Sequence, residues 1–328
     1  MNQDLTTEYA KRFGELRTDA SRSRWSALTY HRAPHKPLLL LCVLDLFEQG
    51  DIQSNLLELT PELGELFTRY WANVMPPDRH SNIALPFFHL RSDGFWRLIP
   101  NAGKENVLES ATQIRSLFQL RDAVAGARLE EDLYKLLQAF ESRTMLRAVL
   151  VRTYFAPELW STLFEQSAVN HEAFRYSKEL LQRNDEKVAE ALAEEQTYRP
   201  AARDQGFRRA VVIAYVHRCA FCGVRVLTLD GHTAVEASHI VPWSLSYNDH
   251  PTNGIAFCRM CHWAFDEGLM RISTGYKIVA SSQLSASDNL PGYLSNLEGR
   301  NILGPAQKPF WPDTESLRWH HKNVFRAW

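Results

Sequence analysis

Four of the five cysteines fall in two pairs, Cys219-Ala-Phe-Cys222 and Cys258-Arg-Met-Cys261. Two thiolates separated by two residues can reach one ion, and two such pairs complete a closed tetrahedral zinc site. A redox dithiol is the competing reading, but paired C-x-x-C motifs in a chain expected in the cytosol point to metal ligation. The 35 residues between the pairs exceed the usual ~15–20, so the knuckles must house an insertion. Within it, or just beyond it, stand His239, Asn253 and His262. His262 and Asp266 are four apart, on one face of a helix, where both can face one divalent cation. The fifth cysteine, Cys42, sits inside an apolar run and reads as a small buried hydrophobe.

Local patterns define the elements that must hold these residues. Phe207, Val211, Val212 and Tyr215 recur at helical spacing ahead of the first knuckle. The stretch 224–229 is strand-like and meets Asp230-Gly231, a hairpin turn pair. Residues 235–239 alternate, which puts Val235, Ala237 and His239 on one face of a second strand. Asn253-Gly254 opens a loop, and the helix over 259–267 is stopped by Gly268. Nearer the N-terminus, His35-Lys36-Pro37 leads into an apolar helix closed by Gly50. The stretch 86–98 reads as two short strands around Asp93-Gly94. Leu129, Leu133, Leu136, Leu137 and Phe140 form a helical, core-facing stripe. A polar, charged helix over 172–196 ends at Arg199-Pro200.

With 328 residues, the chain is long enough for two domains. The longest apolar run, Leu38–Leu44, is far short of the ~20 residues of a membrane span. No basic region followed by an apolar one opens the chain, so a cytoplasmic location without membrane contact is expected. Net charge is −1, from 37 Lys+Arg against 38 Asp+Glu, and gives no global attraction to a polyanion. The cations are nonetheless clustered: seven Lys/Arg against two acids over 11–36, and six Arg against Asp204 over 199–225. Two such surfaces suit a nucleic acid.

The segments 237–243 (Ala-Ser-His-Ile-Val-Pro-Trp), Asn253-Gly254 and 261–268 (Cys-His-Trp-Ala-Phe-Asp-Glu-Gly) resemble the H-N-H endonucleases of the ββα-metal type, in the form with a four-cysteine zinc. The resemblance runs from about residue 203 to 278 and extends to 317–325. It implies phosphodiester hydrolysis, in which a water loses a proton as it attacks and a metal neutralises charge on the leaving oxygen. His239 would be the base, Asn253 would hold the His239 loop by an amide hydrogen bond, and His262 with Asp266 would face a catalytic Mg²⁺ or Mn²⁺. Many members carry Asp, Glu or His just before the base; this chain has Ser238, a weak ligand, with Glu236 as its nearest strand-mate.

An H-N-H module contacts phosphates with little sequence preference, so targeting falls to the first domain. Residues 30–41 (Tyr-His-Arg-Ala-Pro-His-Lys-Pro-Leu-Leu-Leu-Leu) and 85–96 (Leu-Pro-Phe-Phe-His-Leu-Arg-Ser-Asp-Gly-Phe-Trp) resemble the sulfur-binding domain of type IV restriction endonucleases, which cut phosphorothioate DNA. The resemblance covers about 1–165. It implies that His31, Arg32 and Lys36 contact DNA and that Leu85, Pro86 and His89 contribute to an apolar cup for sulfur. Leu85 stands where the family often has an aromatic ring, and Arg91 or Lys104 could replace a later arginine.

The expected architecture is therefore α+β: a helix-rich DNA-reading domain over 1–165, a helical linker over 166–200, and a ββα-metal H-N-H domain with a four-cysteine zinc over 201–328. The expected activity is restriction, a defence function, by a modification-dependent endonuclease acting on double-stranded, phosphorothioate DNA. A homodimer is one way to deliver the two nicks of a double-strand break. The competing readings are a zinc-bearing H-N-H nuclease or DNA-binding protein that recognises another modification or a specific sequence, and a toxin nuclease whose first domain binds protein.

Overall fold

The computed structural model describes residues 2–110, 114, 116–182, 198–286 and 292–327. The chain divides into two compact units, one of residues 1–171 with 228–232, the other of 172–227 with 233–328. Among the described residues no helix is long and apolar enough to cross a membrane.

The first unit contains helices α1 (Asn2–Gly14), α2 (His35–Gln49), α3 (Pro61–Val74) and α4 (Ala84–His89), then strand β1 (Trp96–Pro100). Short helices α5 (Glu105–Ser110) and α6 (Leu117–Ala123) precede β2 (Val124–Leu129), which pairs antiparallel with β1. Helices α7 (Glu131–Leu136), α8 (Phe140–Tyr154) and α9 (Pro157–Gln182) follow, and α9 continues into the second unit. Helix α2 is the centre of this unit. It is buried from Lys36 to Phe47, packs on α3, α4 and α8, and ends at Gly50 with φ 75°. A carboxylate buried in an apolar helix needs its acceptors satisfied: Asp45 accepts from Tyr70 Oη, Ser167 Oγ, Asn170 Nδ2 and Arg147 Nη2, all at 2.8–2.9 Å.

The second unit holds α10 (Pro200–Ala214), β3 (Val235–His239), α11 (Trp243–Ser246), β4 (Gly254–Cys258) and α12 (Arg259–Asp266). The small hairpin of β5 (Met270–Ile272) and β6 (Ile278–Ala280), then α13 (Ser282–Ala286) and α14 (Thr314–Asn323), complete it. Phe207, Val211, Val212 and Tyr215 are all buried, as their spacing predicts, and α10 lies across β3 and β4. Gly254 permits that approach, because a Cβ there would stand 2.4 Å from Val211 Cγ2.

Several local expectations differ from the structure. Residues 84–93 are not a strand but helix α4 and a 3-10 turn, because Ala84, Phe87, Phe88 and Leu90 bury one helical face. Only the second half of the expected hairpin, β1, is extended. The stripe from Leu129 is broken: Leu129 ends β2, Leu133, Leu136 and Leu137 are buried, and Phe140 starts α8 exposed. The stretch 224–229 keeps only an isolated bridge, Leu227 to Thr233. The partner of β3 is instead β4, so Gly254 begins a strand and His239 lies on the first strand of the ββα unit. The 165/166 boundary falls inside α9, and residues 183–197 of the expected linker lie outside the described residues.

Candidate active site and DNA-reading cavity

The four cysteines converge. Cys219 and Cys261 are buried, and the sulfur atoms of all four lie within 4.8 Å of one another. Cys222 and Cys258 are 3.7 Å apart, close to the ~3.8 Å edge of a tetrahedron built on ~2.3 Å zinc–sulfur bonds. Sharing protons with Cys219 and the other thiols pulls Cys222 and Cys258 below the usual thiol range, while Cys219 and Cys261 rise. A cation relieves that competition, so the donor set fits a metal ion. Cys258 precedes α12 and Cys261 lies in its first turn, so the cluster fixes where His262 points.

His239, at the end of β3, lies flat on Phe207, with ring centroids 3.8 Å apart and planes 7° from parallel. Its Nε2 meets Asp249 Oδ1 at 2.7 Å. Asp249 is fully buried, and its Oδ2 takes Tyr176 Oη at 3.1 Å and faces Arg203 Nε at 3.4 Å. Arg203 in turn lies 3.6 Å over the Trp243 ring. A carboxylate only accepts, so in the neutral imidazole the proton sits on Nε2 and the lone pair on Nδ1.

Asn253 is fully buried. It accepts from Val241 N at 3.0 Å and donates to Val241 O at 3.0 Å and Asn248 O at 2.9 Å. The amide thus closes the loop that follows His239. His262 stands between two carboxylates, Asp266 Oδ2 at 3.3 Å from Nε2 and Glu236 Oε2 at 3.7 Å from Nδ1. Burial raises Asp266 above the usual carboxylate range, opposed by His262 and by a hydrogen bond from Ser238. Among the described residues the cysteine cluster is the only set of three or more such side chains gathered closely enough to hold an ion. A catalytic cation at His262 would draw few ligands from protein and leave positions for phosphate oxygens and water.

Asp249 was not picked out in the sequence, although it is the single acid between Glu236 and Asp266. Tyr176 and Arg203 lie upstream of the motif and carry no spacing signal, and the helical spacing of Phe207 marks it as core without pointing to His239.

In the first unit, Lys36, Leu85, Pro86 and His89 line one cavity of about 450 Å³, with Arg17, Arg24, Trp25 and His35. These last four were not anticipated as lining. Burial pushes His35 down to about 4, so it stands neutral against Trp25 and Trp71. His89 is lowered too, by burial first and then by Lys36 and Arg91. Lys36, expected to contact DNA, lines the cavity with its charge already engaged. Its ammonium is buried and bonded to Asp93 at 2.5 Å and Ser92 at 3.1 Å, and Asp93 also accepts from Arg17 N at 2.8 Å. The pair ties the start of α2 to the walls of the cavity.

His31, Arg32 and Arg91 lie outside that lining. Tyr30 and His31 both take left-handed φ, 48° and 57°, and His31 Nδ1 meets Trp25 O at 2.8 Å. This strained turn leaves Arg32 exposed beside the cavity wall. Arg91 covers the Phe88 ring at 3.9 Å and reaches Leu108 O, and Lys104 pairs with Asp122 at 2.7 Å.

A ββα hairpin-helix with a four-cysteine cluster and His239, Asn253 and His262 on its strands, loop and helix defines an H-N-H nuclease module. Residues 219–273 match the HNH endonuclease family HNH_2, and residues 7–171 match the ScoMcrA-like DNA sulfur-binding domain. The second match covers half the chain, which therefore belongs to the ScoMcrA-like DNA sulfur-binding family. No curated protein matches. Among solved structures, one similar chain is the modification dependent TagI restriction endonuclease, at 20% identity and a TM-score of 0.28. That likeness covers 37% of this chain and 38% of the other, so this chain spans well under two thirds of it.

Proposed function

We propose that the protein is a modification-dependent DNA endonuclease that binds phosphorothioate DNA through its first unit and hydrolyses phosphodiester bonds through its second. One observation carries the reading: a sulfur-binding domain and an H-N-H module with His239, Asn253 and His262 all present share one chain. Sulfur in place of a non-bridging phosphate oxygen is larger and less well hydrated. A cup of Trp25, Leu85, Pro86 and neutral His35 suits it, while Arg17 suits the surrounding negative charge and Arg24, 3.5 Å from Asp19, offsets the acid in the lining.

In the second unit His239 is the general base. Asp249 holds Nε2–H, Phe207 fixes the ring plane, and Nδ1 takes the proton of the attacking water. The water oxygen bonds to phosphorus and a bridging P–O bond breaks, with the electron pair leaving on the bridging oxygen. His262 and Asp266, with Glu236 nearby, would hold a Mg²⁺ or Mn²⁺ ion, which supplies charge neutralisation on the leaving oxygen. The four cysteines would hold a structural Zn²⁺.

The test is cleavage of one duplex, with and without a phosphorothioate, by the whole chain and its His239→Ala variant. The reading expects cutting of the sulfur duplex by the native chain alone. Equal cutting of both duplexes would remove the sulfur dependence, and no cutting of either would remove the nuclease.

A further inference from the structure

Helix α12 carries more on its open side than hydrolysis requires. At ~100° per residue, its non-core arc runs in the order His262, Asp266, Arg259, Trp263, Met260. Cys261, Ala264 and Phe265 fill the opposite, buried arc. Trp263 is 55% exposed and Met260 51%. Single exposed apolar residues need no explanation. A tryptophan and a methionine one turn apart, on an eight-residue helix whose other open positions are His262, Asp266 and a cation, are a different matter. Among the described residues Trp263 has no stacking partner, and its indole has no hydrogen-bond acceptor.

Continuity with the nuclease site decides what covers this face. Helix α12 is only ~12 Å long, less than the width of a duplex, and Trp263 stands ~100° around its axis from His262, near the middle of the open arc, so a duplex with a phosphodiester at His262 meets Trp263, with Met260 flanking it on the far side. Arg259, at the head of the helix, carries the complementary charge for a backbone phosphate, although it also faces Glu236 at 3.6 Å. An indole is thin enough for the ~6 Å minor groove, and apolar side chains there part the stack and kink the helix.

We propose that Trp263, backed by Met260, is a wedge that enters the duplex beside the bond to be cut. This rests on the nuclease reading above and adds what the module selects. Its substrate is double-stranded DNA at a step that unstacks readily, so the cut position depends on local deformability as well as on the distance from the modified linkage.

The experiment uses the full-length chain. Cut sites on a phosphorothioate duplex are mapped first, and 2-aminopurine is then placed beside the mapped bond. Bound to the non-cutting His239→Ala chain, the probe should brighten as its neighbour unstacks. With His239→Ala/Trp263→Ala it should stay dark, and with His239→Ala/Trp263→Phe it should brighten. In the cutting background, Trp263→Ala should lose on the order of 10- to 100-fold in rate on intact duplex and recover most of it where a mismatch has already opened the step. Equal brightening with and without Trp263, an undiminished rate on intact duplex, or an equal loss on both duplexes would overturn the wedge. A change in oligomeric mass in Trp263→Ala would overturn it too, by giving the face to a second copy. If the native chain cuts nothing, the nuclease reading itself fails and takes the wedge with it. If it cuts and Trp263→Ala cuts equally, the wedge alone is lost.

Discussion

Both units bury ionisable groups, but toward opposite ends. In the first, Asp45 is saturated by four donors and Lys36 is closed against Asp93 and Ser92. These charges hold a shape. In the second, buried Asp249 spends one oxygen on His239, whose ring is stacked on one face and tied at one nitrogen while the other nitrogen keeps its lone pair. In the proposed mechanism that arrangement holds the base in its working tautomer. Loss of a buried charge should therefore cost stability in the first unit and chemistry in the second.

The strongest separation of the two comes from the cysteine cluster. Structural zinc in such knuckles contributes about 10–16 kcal/mol of apparent binding free energy, which is folding free energy. Cys258→Ser, or prolonged chelation, should unfold the second unit while the full-length chain still binds sulfur duplex. Elemental analysis should give one zinc per native chain. Active, chelator-treated protein without zinc would break the assignment.

His239→Ala should lower single-turnover cleavage by about 10²–10⁴-fold, the usual contribution of a general base, with DNA affinity unchanged. Asp249→Asn sharpens the point, because an amide can donate to Nε2 and shift the proton to Nδ1. It should lower the rate by about 10²-fold or more at unchanged melting temperature, with the tautomer change visible in the nitrogen spectrum of labelled histidine. By contrast, Asp45→Ala in the first unit should cost about 3–5 kcal/mol, since it leaves the Tyr70, Ser167 and Asn170 donors without their buried acceptor and Arg147 with Glu48 alone. Chemical denaturation reads that loss, and cleavage by the surviving folded fraction should be unaffected.

The candidate residues of the second unit were legible because metal and phosphodiester chemistry restricts residue type and spacing within one short stretch. Cys219, Cys222, Cys258, Cys261, His239, Asn253 and His262 all lie there. Asp249 was not legible, because its burial depends on Tyr176 and Arg203, which precede the motif. In the first unit the cavity draws on residues from Arg17 to Ser92, and the pairing of Lys36 with Asp93 spans 57 positions. A basic residue beside a motif shows no sign in the sequence of a partner so distant. The apolar stretch at Phe87-Phe88 satisfied both strand and helix patterns, and only packing decided for the helix.

Each unit also carries one histidine that burial pushes down to about 4, His35 in the first and His320, stacked on Phe265, in the second. Both fall below the ordinary value near 6.5. Between about 4 and 6.5 the unfolded chain binds more protons than the folded one, so stability rises with pH across that window and is lost on acidification. Substituting His320→Gln should flatten the slope of the second unit alone, and His35→Gln that of the first. Thermal melts from pH 4 to 7 monitor both, and an unchanged slope in His320→Gln would show that this ring is not the acid-sensitive group.

The smallest effect is the most specific to the first unit. If the cup selects sulfur by being poorly hydrated, a polar group placed in its wall should admit oxygen almost as well. Leu85→Asn should therefore reduce the sulfur-over-oxygen preference by about 1–3 kcal/mol, or roughly 10- to 200-fold, chiefly by weakening the sulfur complex. Arg32, exposed on the strained turn, should act differently. Its loss should weaken both duplexes alike and reduce the salt dependence by about one phosphate contact, because a released counterion carries no information about the modified atom. Anisotropy titrations on matched duplexes, repeated across a salt series and with each phosphorothioate stereoisomer, separate the two behaviours. If Arg32→Ala erased the preference while Leu85→Asn left it intact, selection would lie in charge rather than in the apolar wall.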